Sequence, residues 1–157
     1  MNRRSKEEAE DEILAKAGRI LEQRAVYNSD AISLTSPPEV LGLIRTKMAL
    51  HRNEVFVVMY LDNKHSLIEY KEQFLGTIGG CSVYSRVIVQ DALKLNAAAI
   101  VLAHNHPSGL VELSEADKSI TRTITEATAL VDVRVLDHII VGSNSNAYTS
   151  FAEQGLM

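Results

Sequence analysis

The sequence is poor in cysteine, in net positive charge and in long apolar runs, and each shortage removes a class of protein. Cys81 is the single cysteine in 157 residues, so no disulfide can form within the chain. A reducing compartment suits such a chain, and a cytoplasmic location is expected. A lone cysteine with histidines elsewhere can be a nucleophile, but a small buried hydrophobe is the commoner case, and Cys81 is read so. Sixteen Lys and Arg stand against twenty Asp and Glu, a formal charge of −4. That balance argues against a protein-wide basic surface for nucleic acid. The first residues, MNRRSKEEAEDEIL, turn acidic where a secretory signal needs an apolar core. The apolar run Ala97 to Ala103 is far too short to span a bilayer, so no membrane partner is expected. No internal repeat or low-complexity segment is present, and the length suits one domain with a proper core.

What is present reads as alternating helices and strands. Ser5 to Arg24 is strongly charged, with Ile13, Leu14, Ala17, Ile20 and Leu21 at helical spacing, an amphipathic helix with one apolar stripe. The stripe could pack on its own domain or on a partner chain, and a homodimer is one such arrangement. Asn28 to Pro38 is a connector, and Pro38 to Met48 is a second helix with Ser36 as its cap. Glu54 to Leu61 has the β-branched, apolar composition of a buried strand, and Ser66 to Thr77 is its hairpin partner across Asp62-Asn63-Lys64. After Gly76, Gly79 and Gly80, Val87 to Leu95 fits a helix face. Ala97 to Ala103 is a central strand, Ser114 to Val131 a helix, and Val133 to Gly142 a strand closed by glycine. This order predicts an α/β fold with helices flanking a mixed sheet. The helix falls in residues 1–27 and the folded domain in residues 36–157.

The informative segment is His104-Asn105-His106-Pro107-Ser108-Gly109. Side chains alternate along a strand, so His104 and His106 offer two imidazoles to one side. Pro107 and Gly109 stop the strand there, at the kind of edge where α/β sheets build their sites. Ser114-Glu115-Ala116-Asp117 begins eight residues after His106. Its plain reading is a capping box at a helix start. The same geometry turns Asp117 toward whatever precedes the helix, so cap and metal ligand are compatible. Two histidines and one carboxylate leave a fourth position for water, the ligand count of a catalytic zinc site.

The string His104-x-His106, seven residues, Ser114-x-x-Asp117 resembles the JAMM signature of the JAB/MPN metalloprotease superfamily. The surrounding words resemble the RadC family more specifically: AxxLNAAAIVLAHNHPSG, LDHIIVG and YTSFAEQG stand in order and spacing, over Ser36 to Gly155. The resemblance implies a JAB/MPN-type, cytidine-deaminase-like fold and a zinc-dependent hydrolase of peptide or isopeptide bonds. It implies one zinc ion on His104, His106 and Asp117, with water as fourth ligand. It gives Ser114 the role of steadying the oxyanion and Glu54 that of general base, with Glu69 and Glu72 as fallbacks. The expected partner is a peptide or protein substrate. The competing reading is a non-catalytic, metal-stabilised binding module in a DNA-repair or mobile-element setting.

Departures from the family pattern are specific. The helix-hairpin-helix-type segment of full-length RadC proteins does not fit in the short charged helix, so a shortened form is expected, without the DNA binding attributed to that segment. Ser85-Arg86-Val87 replaces the usual Pro-Arg-Glu, and Leu110-Val111-Glu112-Leu113 replaces an acidic, proline-rich loop. None of these touches a ligand position. A zinc deaminase needs Pro-Cys-x-x-Cys, which one cysteine excludes. Metallo-β-lactamase-like nucleases need an aspartate where Ser108 stands. Asp137 and His138 are candidates to orient a ligand imidazole, although a buried, hydrogen-bonded histidine is the commoner explanation, and neither is taken as a ligand. Arg86, His51 and His65 are read as exposed residues.

Overall fold

The computed structural model describes residues 3–27, 37–49, 51–77, 80–143 and 145–157. Among these, the order is α1 (Arg3–Tyr27), α2 (Pro37–Met48), β1 (Val55–Leu61), β2 (Leu67–Leu75), α3 (Ser85–Lys94), β3 (Ala99–His106), α4 (Glu115–Ala129), β4 (Arg134–Gly142) and β5 (Tyr148–Ser150). Residues 28–36 of the connector, with the Ser36 cap, and Gly79 lie outside the described residues, whereas Pro37 and Pro38 open α2. Each element predicted from pattern is found, with ends shifted by a few residues. β5 is the addition, formed by the Tyr-Thr-Ser of the C-terminal motif.

The five strands form one mixed sheet in the order β2-β1-β3-β4-β5. β1 runs antiparallel to both β2 and β3, whereas β3 and β4 are parallel and are joined across α4. β1 is buried at every position. That is why it reads as a continuous apolar run: helices cover both faces of it.

The alternation of side chains sorts β1 and β3 into two layers. Val55, Val57, Met59 and Leu61 join Ala99, Val101 and Ala103 against Leu43, Ile44 and Met48 of α2. Phe56, Val58 and Tyr60 join Ile100 and Leu102 against Ile88 and Ala92 of α3 and Ile124 of α4. The even-numbered residues of β3 therefore face α4, and His104 and His106 continue that row. α1 packs on its own chain. Leu21 reaches the α2 layer, Gly18 lies against the stem of Lys47, and Lys47 Nζ donates to Glu22 at 2.6 Å. Its apolar stripe is wider than this contact, so Ile13 and Ile20 point outward. Among the described residues, no helix is long and apolar enough to cross a membrane.

Candidate metal centre

The strand carrying the two histidines is longer than its apolar run suggests. Parallel pairing with β4 continues to His106, which stands opposite Gly142. The chain then turns sharply through Gly109, whose φ of +81° is one that glycine adopts without strain. Gly142 lets this turn approach: a Cβ there would lie 2.4 Å from the Gly109 carbonyl oxygen. The turn in turn supplies the Leu110 carbonyl, which accepts a hydrogen bond from His106 Nδ1 at 2.7 Å. Because a carbonyl has no proton to give, His106 carries its proton on Nδ1. Its Nε2 is left facing the site.

Asp117 arrives from the first turn of α4. Ser114 is the N-cap and completes a full capping box: its Oγ accepts from Asp117 N–H, and the Asp117 carboxylate accepts from Ser114 N–H. The Ser114 hydroxyl donates to Asp117 Oδ2 at 2.6 Å and its backbone N–H donates to the same oxygen at 2.9 Å. Oδ1 is thereby left to face His104 Nε2, 3.2 Å away. One geometry caps the helix, as the plain reading of this tetrapeptide has it, and turns the carboxylate toward the histidines, as the sharper reading requires. Burial works to raise the Asp117 carboxyl, but the hydrogen bonds of His104 and Ser114 outweigh it and hold the group well below the usual carboxylate range.

His104 Nε2 and His106 Nε2 are 3.0 Å apart, and His106 Nε2 is 3.9 Å from Asp117 Oδ2. Donors at about 2.0 Å from one ion in a tetrahedral shell lie about 3.3 Å from each other. Among the described residues, these three are the one group whose ligand atoms converge in this way. Two imidazole nitrogens and a carboxylate oxygen are a donor set that holds a divalent transition metal. The residues present fit the ion that the sequence motif implies.

A cavity of about 330 Å³ opens onto this point and is lined by Glu54, Cys81, His104, His106, Ser114 and Asp117 among others. The structure sets Glu54 and Ser114 in the lining of the same cavity as His104, His106 and Asp117, and leaves the fallback residues elsewhere. Glu72 binds His51 at 2.9 Å on another part of the surface, and Glu69 does not line the cavity. Neither His51 nor His65 is simply solvated: His51 is half-buried on Glu72, and His65 Nε2 lies 3.1 Å from Arg134. Cys81 is partly buried, packing against the layer of Phe56, Val58 and Ile88 while also lining the cavity, and burial together with the Glu54 charge pushes its thiol pKa up. A larger cavity, about 570 Å³, lies between α1, α2 and the end of β4. No convergent ligand set opens onto it among the described residues, so volume does not decide the site.

Asn105 and Thr121 gain weight that the sequence does not give them, and His138, a candidate from the sequence, gains its partners. Asn105, between the ligands, points to the opposite face and is fully buried. Its Oδ1 accepts from Val55 N–H at 2.8 Å and its Nδ2 donates to Asn53 O at 3.0 Å, so it clamps the backbone on both sides of Glu54. His138 is fully buried, its Nε2 2.8 Å from His104 Nδ1 and its Nδ1 2.6 Å from Thr121 Oγ1. Phe56 packs edge-on against the His138 ring and Phe151 stacks on it. Burial, and then the neighbouring His104, hold the His138 pKa well below that of free imidazole. Thr121 follows Asp117 by one helical turn, a spacing that could have flagged it. Asp137, in contrast, serves the C-terminal segment: it accepts from Ser150 Oγ at 2.6 Å and from Ala152 N–H at 2.9 Å.

The comparisons with known proteins agree with this geometry. The family model of the RadC-like JAB domain matches residues 34–156. A UPF0758 protein of Vibrio cholerae serotype O1 is 47% identical over 146 residues, covering 93% of this chain and 89% of that protein. UPF0758 proteins of Cellvibrio japonicus and Marinobacter nauticus are 52% and 48% identical over 122 and 124 residues. Those matches cover 78% and 79% of this chain and 54% of each relative, so the chain spans about half the length of these two.

Proposed function

The chain belongs to the RadC-like JAB domain family, and from that premise we propose that it is a zinc-dependent hydrolase of peptide or isopeptide bonds. The observation that carries this reading is the convergence of His104, His106 and Asp117 at the floor of an open cavity that Glu54 and Ser114 also line. A site that served structure alone would close four protein ligands around the ion. Here three ligands meet, and the fourth side opens to the cavity.

A zinc ion held by these residues supplies Lewis acidity and lowers the pKa of a coordinated water. The remaining chemistry belongs to the chain. The Glu54 carboxylate, held in place by the Asn105 clamp, takes the proton released as water attacks the substrate carbonyl, and returns it to the departing amine. The Ser114 hydroxyl donates to Asp117 Oδ2 at rest and turns toward the oxyanion as charge develops. Its backbone N–H stays on Asp117, so the ligand keeps one of its two hydrogen bonds while the hydroxyl is away.

The test is metal analysis of untagged protein followed by cleavage of a panel of peptides and isopeptide-linked conjugates. One equivalent of zinc, and a cleavage that Glu54→Gln abolishes while zinc is retained, is the expected result. A zinc content below about a tenth of an equivalent in protein purified without chelators removes the metal reading. Zinc with no cleavage, and with salt-dependent DNA binding, favours the binding module instead.

A further inference from the structure

The hydrogen bonds behind His104 fix which way its Nδ1 contact runs. Two contacts of the Thr121 hydroxyl are equally short: 2.6 Å to the carbonyl oxygen of Asp117 and 2.6 Å to His138 Nδ1. Each contact needs one hydrogen at that distance. The carbonyl can only accept, so the single hydroxyl proton goes to it. The hydrogen between Thr121 and His138 must then come from His138, which is an Nδ1–H imidazole. His138 is fully buried, and neither of its nitrogens has an anion as partner. It is therefore neutral, and its Nε2 is a lone pair. The 2.8 Å contact to His104 Nδ1 takes its hydrogen from His104. That leaves His104 Nε2 to face Asp117 Oδ1 at 3.2 Å and His106 Nε2 at 3.0 Å, on the side where an ion would stand.

We propose that Thr121 and His138 are positioning residues of the metal centre. They form a relay, anchored on the main chain of the ligand Asp117, that keeps the His104 proton on Nδ1 and turns its Nε2 lone pair toward the ion. The proposal rests on reading the site as a metal centre, and it extends that reading to two residues that touch no ion. Ligand histidines commonly hold their outer nitrogen on a carboxylate, a carbonyl or water. His106 follows that habit through Leu110 O. His104 instead uses a neutral imidazole, which is an acceptor only while its own far nitrogen has somewhere to donate. Thr121 supplies that place. The circuit closes on itself, because Asp117 contributes its carboxylate to the ion site and its carbonyl to the relay. Phe56 and Phe151 hold the His138 ring between them, so the ring cannot swing away to find another partner.

The experiment has two independent readouts. Long-range ¹H–¹⁵N spectra of wild-type protein give the tautomer of His138, with and without zinc. Chelator competition at fixed pH gives the zinc affinity of wild type, Thr121→Val and Thr121→Ser. The expected result is an Nδ1–H tautomer at His138, zinc affinity lowered on the order of 10–100-fold in Thr121→Val, and recovery to near wild type in Thr121→Ser. Valine keeps the volume and removes the acceptor, so His138 is free to turn its proton to Nε2 and drive a proton onto the metal-facing nitrogen of His104. A purely structural role would lower the melting temperature of Thr121→Val and leave its zinc affinity unchanged, which overturns the proposal. So does an Nε2–H or doubly protonated His138 in the wild type, a readout that stands even if Thr121→Val does not fold. Wild-type protein without zinc affinity removes the metal reading and the proposal with it, whereas zinc bound equally by wild type and Thr121→Val removes the proposal alone.

Discussion

The two faces of the central strands are built on different rules. Toward α2, Val55, Val57, Met59, Val101 and Ala103 meet Leu43, Ile44 and Met48 in a layer of apolar contacts. Toward α4, the same strands begin alike, with Phe56, Val58, Ile100 and Leu102, and then turn polar. His104, His138, Thr121 and Asp117 are all buried there, and each has directional partners. An apolar layer asks for volume and tolerates rearrangement, because hydrophobic burial has no direction. A buried polar layer is fixed atom by atom, since an unpaired donor or acceptor costs more than a well-made bond returns. Stability is concentrated in the first layer and geometry in the second.

That contrast can be broken in four ways, in order of expected effect. His104→Ala takes one of three ligands from the polar layer, and zinc affinity is expected to fall by well over 100-fold, read by chelator competition, with the circular dichroism spectrum kept. Ile44→Ala opens a void in the apolar layer, where the side chain is fully buried. Urea unfolding should show a loss of about 2–5 kcal/mol, with zinc affinity within threefold of wild type. An equal loss of zinc affinity in that variant would mean that the layers are not separable.

Asn105→Ala is the sharper probe, because Asn105 faces α2 yet serves the site. It leaves Val55 N–H without its 2.8 Å acceptor. A stability loss of about 1–3 kcal/mol is expected. Any cleavage activity should fall further than zinc content does, since the clamp acts on Glu54 and not on the ligands.

The smallest effect lies outside both layers. Burial works to raise the Asp91 carboxyl, but hydrogen bonds from Lys71 at 2.6 Å and Gln73 at 2.8 Å prevail and lower its pKa. A carboxyl whose pKa is lowered on folding adds stability above its unfolded pKa and loses it as the pH falls through the folded one. Lys71 is partly exposed, so Lys71→Met should cost at most about 1 kcal/mol at pH 7. The gap between variant and wild type should close on acidification. A gap that widens toward acid pH would contradict the assignment.

The fold was legible where short-range pattern carries it. Glu54 to Leu61 could be read as a buried strand because both of its faces are covered, and Ser114-x-x-Asp117 as a helix start because a capping box is local chemistry. The reading stopped short where surroundings decide. Cys81 packs on the core as a small hydrophobe should, but only partly, because it also lines the cavity. Ile13 and Ile20 repeat at helical spacing, yet α2 covers only one side of α1. The Tyr148–Ser150 strand is too short to announce itself and exists because β4 offers it an edge.

The metal centre divides along the same line. By itself the sequence determined which three side chains converge: two histidines on alternate strand positions and an aspartate in a first helical turn are regularities that a few neighbouring residues enforce. Only the tertiary structure decided what stands behind them. His138 reaches His104 across 34 residues, and Thr121 reaches His138 across 17. Those meetings depend on the parallel register of β3 and β4 and on how α4 lies over both strands. In a hairpin a short turn fixes the register, but β3 and β4 are joined through a whole helix, so their register follows from how the apolar faces of all three elements pack together.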